Sequence, residues 1–327
     1  MNVFVLGGTG FLGYYAVLEL LRREHVVTVL ALDLPKKDLL PPGVKFKLAN
    51  IDECSDDAVR GMLQGQDAMV FAIGLDDRFV PPAPAYDFFY KANVIPTERM
   101  FRLASETGLR RAVLTGSYFA YFNRIWPDME LDELHPYIRV RREQAEAAFA
   151  ASGDMAATVL ELPYIFGNMP GRVPLWAPLI KYIASPWPLF YTTGGTTMIT
   201  VEHVAEAIAG AVERPEGNAC RPVGDRDVTW KEMVETFSRL VGRNQKMTPT
   251  PRCMAGLAAH GIAWQMRRKG KEHGLNPVHF MELQTMETFI RPEDKQASRQ
   301  ALGFGSGGLE QAMEATVAAC LPQRAGH

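Results

Sequence analysis

The chain has 327 residues, 47% of them hydrophobic, and a formal net charge of -2. That length and apolar content suit one large domain or two modest ones with a sizeable core, which excludes wholesale disorder, and the near-neutral balance gives no electrostatic reason to expect nucleic acid as a partner. The four cysteines, Cys54, Cys220, Cys253 and Cys320, lie far apart without metal-ligand spacing or a disulfide framework, so the expected setting is reduced and cytoplasmic.

The chain begins "MNVFVLGGTG", which goes straight into a strand, Val3–Gly8. No charged n-region precedes a long apolar stretch, so no signal peptide is expected. "GYYAVLELLRRE" follows with Tyr14, Val17, Leu18 and Leu21 at helical spacing. "VVTVLAL" is a second β-branched strand, "VKFKLANI" a third, and "SDDAVRGMLQG" a helix with Ser55 as N-cap. "AMVFAIG" reads as strand four, "TERMFRLASETG" as a helix closed by Gly108, "RAVLTGS" as strand five and "ATVLELPYIFG" as strand six. Strand and helix in this alternation predict an α/β fold, a doubly wound parallel sheet of Rossmann type. After Gly167 the texture turns rich in proline and aromatics, then helical again at "TVEHVAEAIAGAVE" and "DVTWKEMVETFSRLVG". The expected division is a dinucleotide-binding domain over 1–166, with 196–213 returning to it. A smaller, interleaved C-terminal substrate region is expected from 167–195 and 214–327. No apolar run reaches transmembrane length; the best, Cys253–Met266, contains His260 and Gln265 and ends in charge.

"GGTGFLG" places Gly7, Gly10 and Gly13 between a strand and a helix. Gly7 permits a tight turn, Gly10 lets backbone approach a pyrophosphate, and Gly13 lets helix pack on strand. The helix N-terminus offers free N–H groups and a partial positive charge. Asp33 lies 20 residues past Gly13, where an acid would contact ribose hydroxyls. Lys36 and Lys37 share its loop and could hold a 2′-phosphate, so NAD and NADP both stay open.

At this point the chain resembles the extended short-chain dehydrogenase/reductase family, the NAD-dependent epimerase/dehydratase group, over nearly its whole length. The resemblance rests on motifs in order: "GGTGFLG", "LANID", "DAMVFAIG", "NVIPT", "LTGSYFAYF", "YIRVR", "LELPYIFG" and "MITVEHVAEAI". It implies cofactor contacts from Thr9, Phe11 and Leu12 in the loop, and from Asn50 and Ile51 after the third strand. It implies further contacts from Ala72, Ile73 and Gly74 at the end of the fourth strand, and from Asn93, Pro163 and Ile165. It also implies that Ser117, Tyr137 and position 141 form the catalytic set, with Tyr137 and Arg141 touching cofactor as well. Asn93 serves equally well as a cap for local backbone.

The departures from the family pattern are specific. Neither Ala31 nor Leu32 is the acid or arginine that relatives use to choose a ribose, Pro96 replaces a glycine, and Glu161 stands where arginine is common. Arg141 replaces the lysine of Tyr-x-x-x-Lys. A tyrosine has a free pKa of about 10, and a nearby cation favours its phenolate. On one helix the i, i+4 spacing puts Tyr137 and Arg141 on one face, and arginine holds its charge more firmly than lysine. The family lysine also bonds the nicotinamide ribose, and for that contact a forked guanidinium is not a conservative exchange. Arg142 faces elsewhere and is expected to pair with Glu146. Ser117 would position the substrate oxygen, or is a plain strand-end turn serine.

No metal site is expected: His25, His135, His203, His260, His273, His279 and His327 show no ligand grouping. "YFAYFNRIWP" and "VPLWAPLIKYIASPWPLFY" would wall a pocket for a small hydrophobic carbonyl or alcohol, or else fill core. No arginine precedes "MITVEHV", as it often does in sugar-nucleotide enzymes, although Arg172 and Arg291 could anchor an anion. The run "RRKGK", Arg267–Lys271, reads as a solvated helix end or a contact for phosphate or a membrane surface. The expected activity is an NAD(P)-dependent oxidoreductase passing hydride between nicotinamide and a carbonyl or alcohol carbon, with Tyr137 as acid/base. An epimerase or dehydratase, and a non-catalytic dinucleotide-binding protein, are the alternatives. The expected partners are a small-molecule substrate and a second copy in a homodimer, with no nucleic acid and no integral membrane segment.

Overall fold

The computed structural model describes residues 1–34, 36 and 38–321; Lys37 and His327 lie outside them. The first half runs β1 (Asn2–Leu6), α1 (Phe11–Arg22), β2 (Val26–Ala31), β3 (Lys45–Leu48), α2 (Asp56–Leu63), β4 (Ala68–Phe71), α3 (Ala85–Phe89), α4 (Ile95–Glu106), β5 (Arg111–Thr115), α5 (Tyr118–Ile125), α6 (Leu131–Leu134), α7 (Pro136–Ala151) and β6 (Ala156–Glu161). The second half runs β7 (Tyr164–Phe166), α8 (Ala177–Ala184), β8 (Phe190–Tyr191), β9 (Gly195–Thr200), α9 (Val201–Glu213), β10 (Ala219–Pro222), β11 (Arg226–Thr229) and α10 (Trp230–Leu240). It closes with β12 (Thr248–Pro249), α11 (Arg252–Arg268), α12 (Pro277–Thr285), β13 (Glu287–Thr288), α13 (Pro292–Leu302) and α14 (Leu309–Cys320).

Among the described residues, seven parallel strands form the central sheet in the order β10-β6-β5-β4-β1-β2-β3. The order reverses between β1 and β4, and a parallel sheet opens a ligand crevice at that edge. Alternation along the strands divides the core. Val3, Val5, Val27 and Val70 pack with α1 and α9 on one face. Phe4, Leu6, Met69 and Phe71 pack with α2, α4 and α7 on the other. Side chains of successive strand residues point to opposite faces, so an apolar run covered on both sides must be continuous. The expected Rossmann sheet is therefore present. Ser55 caps α2 as anticipated, its Oγ accepting from Ala58 N at 3.2 Å.

Two segments differ from the sequence reading. "ATVLELPYIFG" is not one strand: β6 stays in the central sheet, while β7 pairs with β9 in a second sheet. Pro163 interrupts the run because it has no N–H for a ladder. The second difference lies in 196–327. β9 joins the second sheet beside β11 and β13, while α9, with Leu302 of α13, packs against one face of the central sheet. Conversely β10 is the edge strand beside β6, although it falls in the stretch assigned to the substrate region. "ACRP" hides that role because it lacks the aliphatic run that marks the other parallel strands. The second region packs around Phe166, Trp230, Phe237 and Met313. Among the described residues no helix is long and apolar enough to cross a membrane.

The end of α13 is bound to α9 through a close backbone approach. A side chain at Gly210 would begin 1.7 Å from Leu302 O. Gly210→Ala should therefore cost about 1–3 kcal/mol in urea unfolding, the usual range for overpacking. Unchanged stability would show that α13 does not press on α9.

Candidate active site at the carboxyl edge of the sheet

The crevice at the switch point is a cleft of about 990 Å³, bounded by the β1–α1 turn, the ends of β2, β4 and β5, and the Leu162–Trp176 stretch. Gly7 has a φ of 79°, and a side chain there would meet Ala72 O at 2.6 Å. Gly10 N donates to Gly7 O at 2.8 Å, which closes the turn. Gly13 does not line the cleft; a side chain on it would begin 2.2 Å from Gly7 O, so its role is helix–strand packing. The start of α1 carries no side-chain cap and no acid in its first turn. Its leading N–H groups thus face the cleft beside Thr9, Phe11 and Leu12, an arrangement that receives a phosphate.

At the β2–β3 end Asp33 is exposed and lines the cleft. Lys36 does not: its ammonium donates to Gly171 O at 2.9 Å. Asn50 lines the cleft with Ile51 and is held by a local turn, its Oδ1 accepting from Asp52 N at 3.1 Å and its Nδ2 donating to Glu53 at 2.8 Å. Ala72, Ile73 and Gly74 form the floor, and Pro163 and Ile165 the opposite side.

Asn93, which the sequence left open between a cofactor contact and a backbone cap, is found in the capping position. It is wholly buried and does not line the cleft. Its Oδ1 accepts from Leu75 N at 2.9 Å and its Nδ2 donates to Leu75 O at 3.2 Å. It sits in a π-helical turn, Tyr90–Val94, between α3 and α4. Thr97 and Gln144 support it, through Thr97 Oγ1 to Asn93 O at 2.7 Å and Gln144 Nε2 to Thr97 Oγ1 at 2.8 Å. Asn93 shapes the floor at Gly74–Leu75 from behind, which is the backbone-capping role.

Tyr137 and Arg141 share one face of α7, which starts at Pro136. Proline suits that first position because the N–H it lacks would have no helical partner. Both side chains line the cleft with Ser117, and all three are buried. The guanidinium carbon of Arg141 lies 5.8 Å from the Tyr137 ring centroid. Arg141 Nη2 donates to Thr115 O at 2.6 Å, while Nε has no partner among the described residues. Burial pushes the Tyr137 phenol up to about 12; Arg141 opposes that rise, and the Asp77 and Asp76 carboxylates add to it. Arg142 turns away and pairs with Glu146 at 2.7 Å and Asp132 at 2.9 Å. Ser117 N-caps α5, accepting from Phe119 N at 3.4 Å. Glu161, at the family's arginine position, is buried and held by both guanidinium nitrogens of Arg124 at 2.8 Å.

The structure adds a group that sequence reasoning passed over, Asp76–Asp77–Arg78. All three line the cleft just past β4. Asp76 pairs with Arg78, a bond that holds its carboxyl below the usual range against the opposing pull of burial. Burial, then Asp76, pushes the Asp77 carboxyl up. Burial raises the Tyr118, Tyr137 and Tyr164 phenols, and Asp77 adds a smaller share to each rise. A charged triplet at a strand's carboxyl end was the available signal. Tyr164, Trp176 and Tyr191 complete an aromatic wall, and Arg172 lies at its side. Tyr121 and Arg291 lie apart from the cleft, where Tyr121 OH donates to Asp294 at 2.6 Å and accepts from Arg291 N at 3.1 Å.

Residues 7–215 match the family model described as NAD(P)H-binding. A curated relative, the human sterol-4-alpha-carboxylate 3-dehydrogenase, decarboxylating (Homo sapiens), is 27% identical over 121 residues, 37% of this chain and 30% of that enzyme. Among solved structures, gox2253 superposes with a TM-score of 0.75 at 17% identity, covering 97% of each chain. A nucleoside-diphosphate-sugar epimerase from Pseudomonas aeruginosa gives 0.72 at 15% identity, covering 97% of this chain and 96% of that one. MoeE5 in complex with UDP-glucose and NAD gives 0.68 at 17% identity, covering 98% of each. Identities this low speak for the shared fold.

The environment of Tyr137 makes a direct prediction. Titrated by ultraviolet difference against Tyr137→Phe, this phenol should ionise near 12, later than a free tyrosine at about 10. Arg141→Met should delay it further, since a lost cation disfavours phenolate. An ionisation earlier than that of free tyrosine would contradict the burial described.

Proposed function

Because this chain belongs to the NAD(P)H-binding family, we propose that it is an oxidoreductase of the extended short-chain type that acts on a small, largely hydrophobic carbonyl or alcohol. The observation that carries this reading is one cleft holding both an uncapped glycine-loop helix and the buried Tyr137–Arg141–Ser117 group. The residues present fit a dinucleotide: the Gly7–Gly10 turn leaves room for a pyrophosphate, and the orphaned Arg141 Nε awaits an acceptor. Bound nicotinamide would supply or accept the hydride, and its oxidised form would add positive charge beside the phenol.

The remaining steps belong to the chain. Gly7, Gly10 and the start of α1 hold the pyrophosphate. Asp33 accepts from ribose hydroxyls and repels a 2′-phosphate, and Lys36 is engaged by Gly171, which favours NAD over NADP. Arg141 keeps Nη2 on Thr115 O and offers Nε to the nicotinamide ribose. Ser117 holds the substrate oxygen against Tyr137. The Tyr137 phenol, protonated in the free protein, donates to that oxygen as a carbonyl is reduced and takes the proton back as an alcohol is oxidised. Tyr118, Tyr164, Trp176 and Tyr191 enclose an apolar body, and Asp77 meets one polar group on it.

Assayed against a carbonyl panel by nicotinamide absorbance, the protein should consume cofactor stoichiometrically. Conversion of sugar nucleotides with no net absorbance change would favour the epimerase reading, and tight dinucleotide binding without either reaction a non-catalytic one. Tyr137→Phe should lower kcat by at least about 100-fold while cofactor affinity stays near the parent's. Arg141→Lys should retain activity and Arg141→Met lose most of it; an active Met variant would show that the cation is dispensable. NAD should bind more tightly than NADP, and Asp33→Asn should narrow the gap.

A further inference from the structure

Helix α11 leaves large apolar side chains exposed that a helix packing only on its own protein would bury. It turns Ala255 and Ala259 inward and leaves Met254 (60%), Leu257 (75%), Ile262 (44%) and Trp264 (60%) exposed. Met254, Leu257, Gly261 and Trp264 follow one another at spacings of three and four, so they share a face. Arg268 continues that row and stacks on Trp264, its guanidinium carbon 4.8 Å from the ring. Exposed Trp187 and Phe190 sit in the stretch that leads through β8; β8 pairs with β12, which ends two residues before α11. Large apolar side chains left exposed in this number mark a surface with an occupant.

Charge selects the occupant. From Arg252 to Lys271 the sequence contains no Asp or Glu, but it carries Arg252, Arg267, Arg268, Lys269 and Lys271, in a chain whose net charge is -2. The first acid beyond it, Glu272, is committed inward, accepting from Ala85 N at 2.7 Å. A second copy docking here by two-fold symmetry would present the same acid-free segment, with no carboxylate to pair the cations. A helix with an aromatic-aliphatic face and flanking lysine and arginine instead matches a bilayer surface rich in anionic lipid, where it lies in the interface without crossing. The chain has no membrane-crossing helix among its described residues, which fits a surface-bound mode.

We propose that α11, with Trp187 and Phe190, docks this protein onto an anionic membrane surface. α11 is linked to the substrate end of the cleft through α12. α11 packs on α12, whose Phe280 ring lies 6.1 Å from Phe119 and whose Gln284 bonds Tyr164 OH at 3.4 Å. Phe119 and Tyr164 both line the cleft. The docking claim itself does not depend on the reaction proposed above.

The test is co-sedimentation of the full chain with phosphatidylcholine vesicles, with and without phosphatidylglycerol, together with tryptophan emission. Binding should require phosphatidylglycerol and weaken as salt is raised. It should fall about fivefold for each of Arg267→Ser and Arg268→Ser. Emission should shift to the blue on binding, and Trp264→Phe and Trp187→Phe should each reduce that shift. Leu257→Ser should weaken binding while leaving the thermal melt of so exposed a site unchanged. Absence of vesicle binding would overturn the proposal. So would equal binding to both vesicle types, or a Leu257→Ser effect seen only as loss of a dimer in solution.

Discussion

One buried cation organises the candidate site. Arg141 is nearly closed off from solvent, and its only hydrogen bond among the described residues runs from Nη2 to Thr115 O. A buried charge is costly unless it is paired or bonded. Here the bond ties α7 to the end of β5, so the helix that carries Tyr137 is fixed to the edge where the crevice opens. Arg141 also helps to lower the Asp76 and Asp77 carboxyls against burial, and it lies over the Tyr137 ring. The unpaired Nε is the part of this arrangement that a ligand would complete.

That constraint explains why the exchange of lysine for arginine need not abolish chemistry. A lysine offers a compact point charge, whereas a guanidinium offers several directed donors. One donor is spent on the sheet, and the fork leaves another. The cation does not overcome burial in the free protein, because the Tyr137 phenol still rises to about 12. Its opposing pull keeps that rise smaller than burial and the two nearby acids would make it. On the proposed reading, Tyr137 is therefore the proton donor in the free protein.

The parallel sheet, the glycine turn and the Tyr137–Arg141 face were legible in the sequence because each depends on local spacing. Continuous apolar runs mark buried strands, and i, i+4 marks a shared helical face. The role of Asn93 was ambiguous, since a π-helical turn re-aims its side chain and no residue spacing announces that. The split at Pro163 was readable from the missing N–H, but the strand pattern on either side concealed it. β10 was hidden because "ACRP" takes its place through pairing with β6, not through its own propensity. The Asp76–Arg78 triplet lay in plain view, but only tertiary placement shows that it lines the same cleft as Tyr137.

The most direct measurement is a crystal structure of the protein with bound dinucleotide. The account predicts that Arg141 keeps Nη2 on Thr115 O and places Nε within hydrogen-bonding distance of a nicotinamide ribose hydroxyl, with the ring over Tyr137 and Ser117. A guanidinium turned out of the cleft, or a ribose beyond its reach, would contradict the claim that Arg141 holds the cofactor in reacting position.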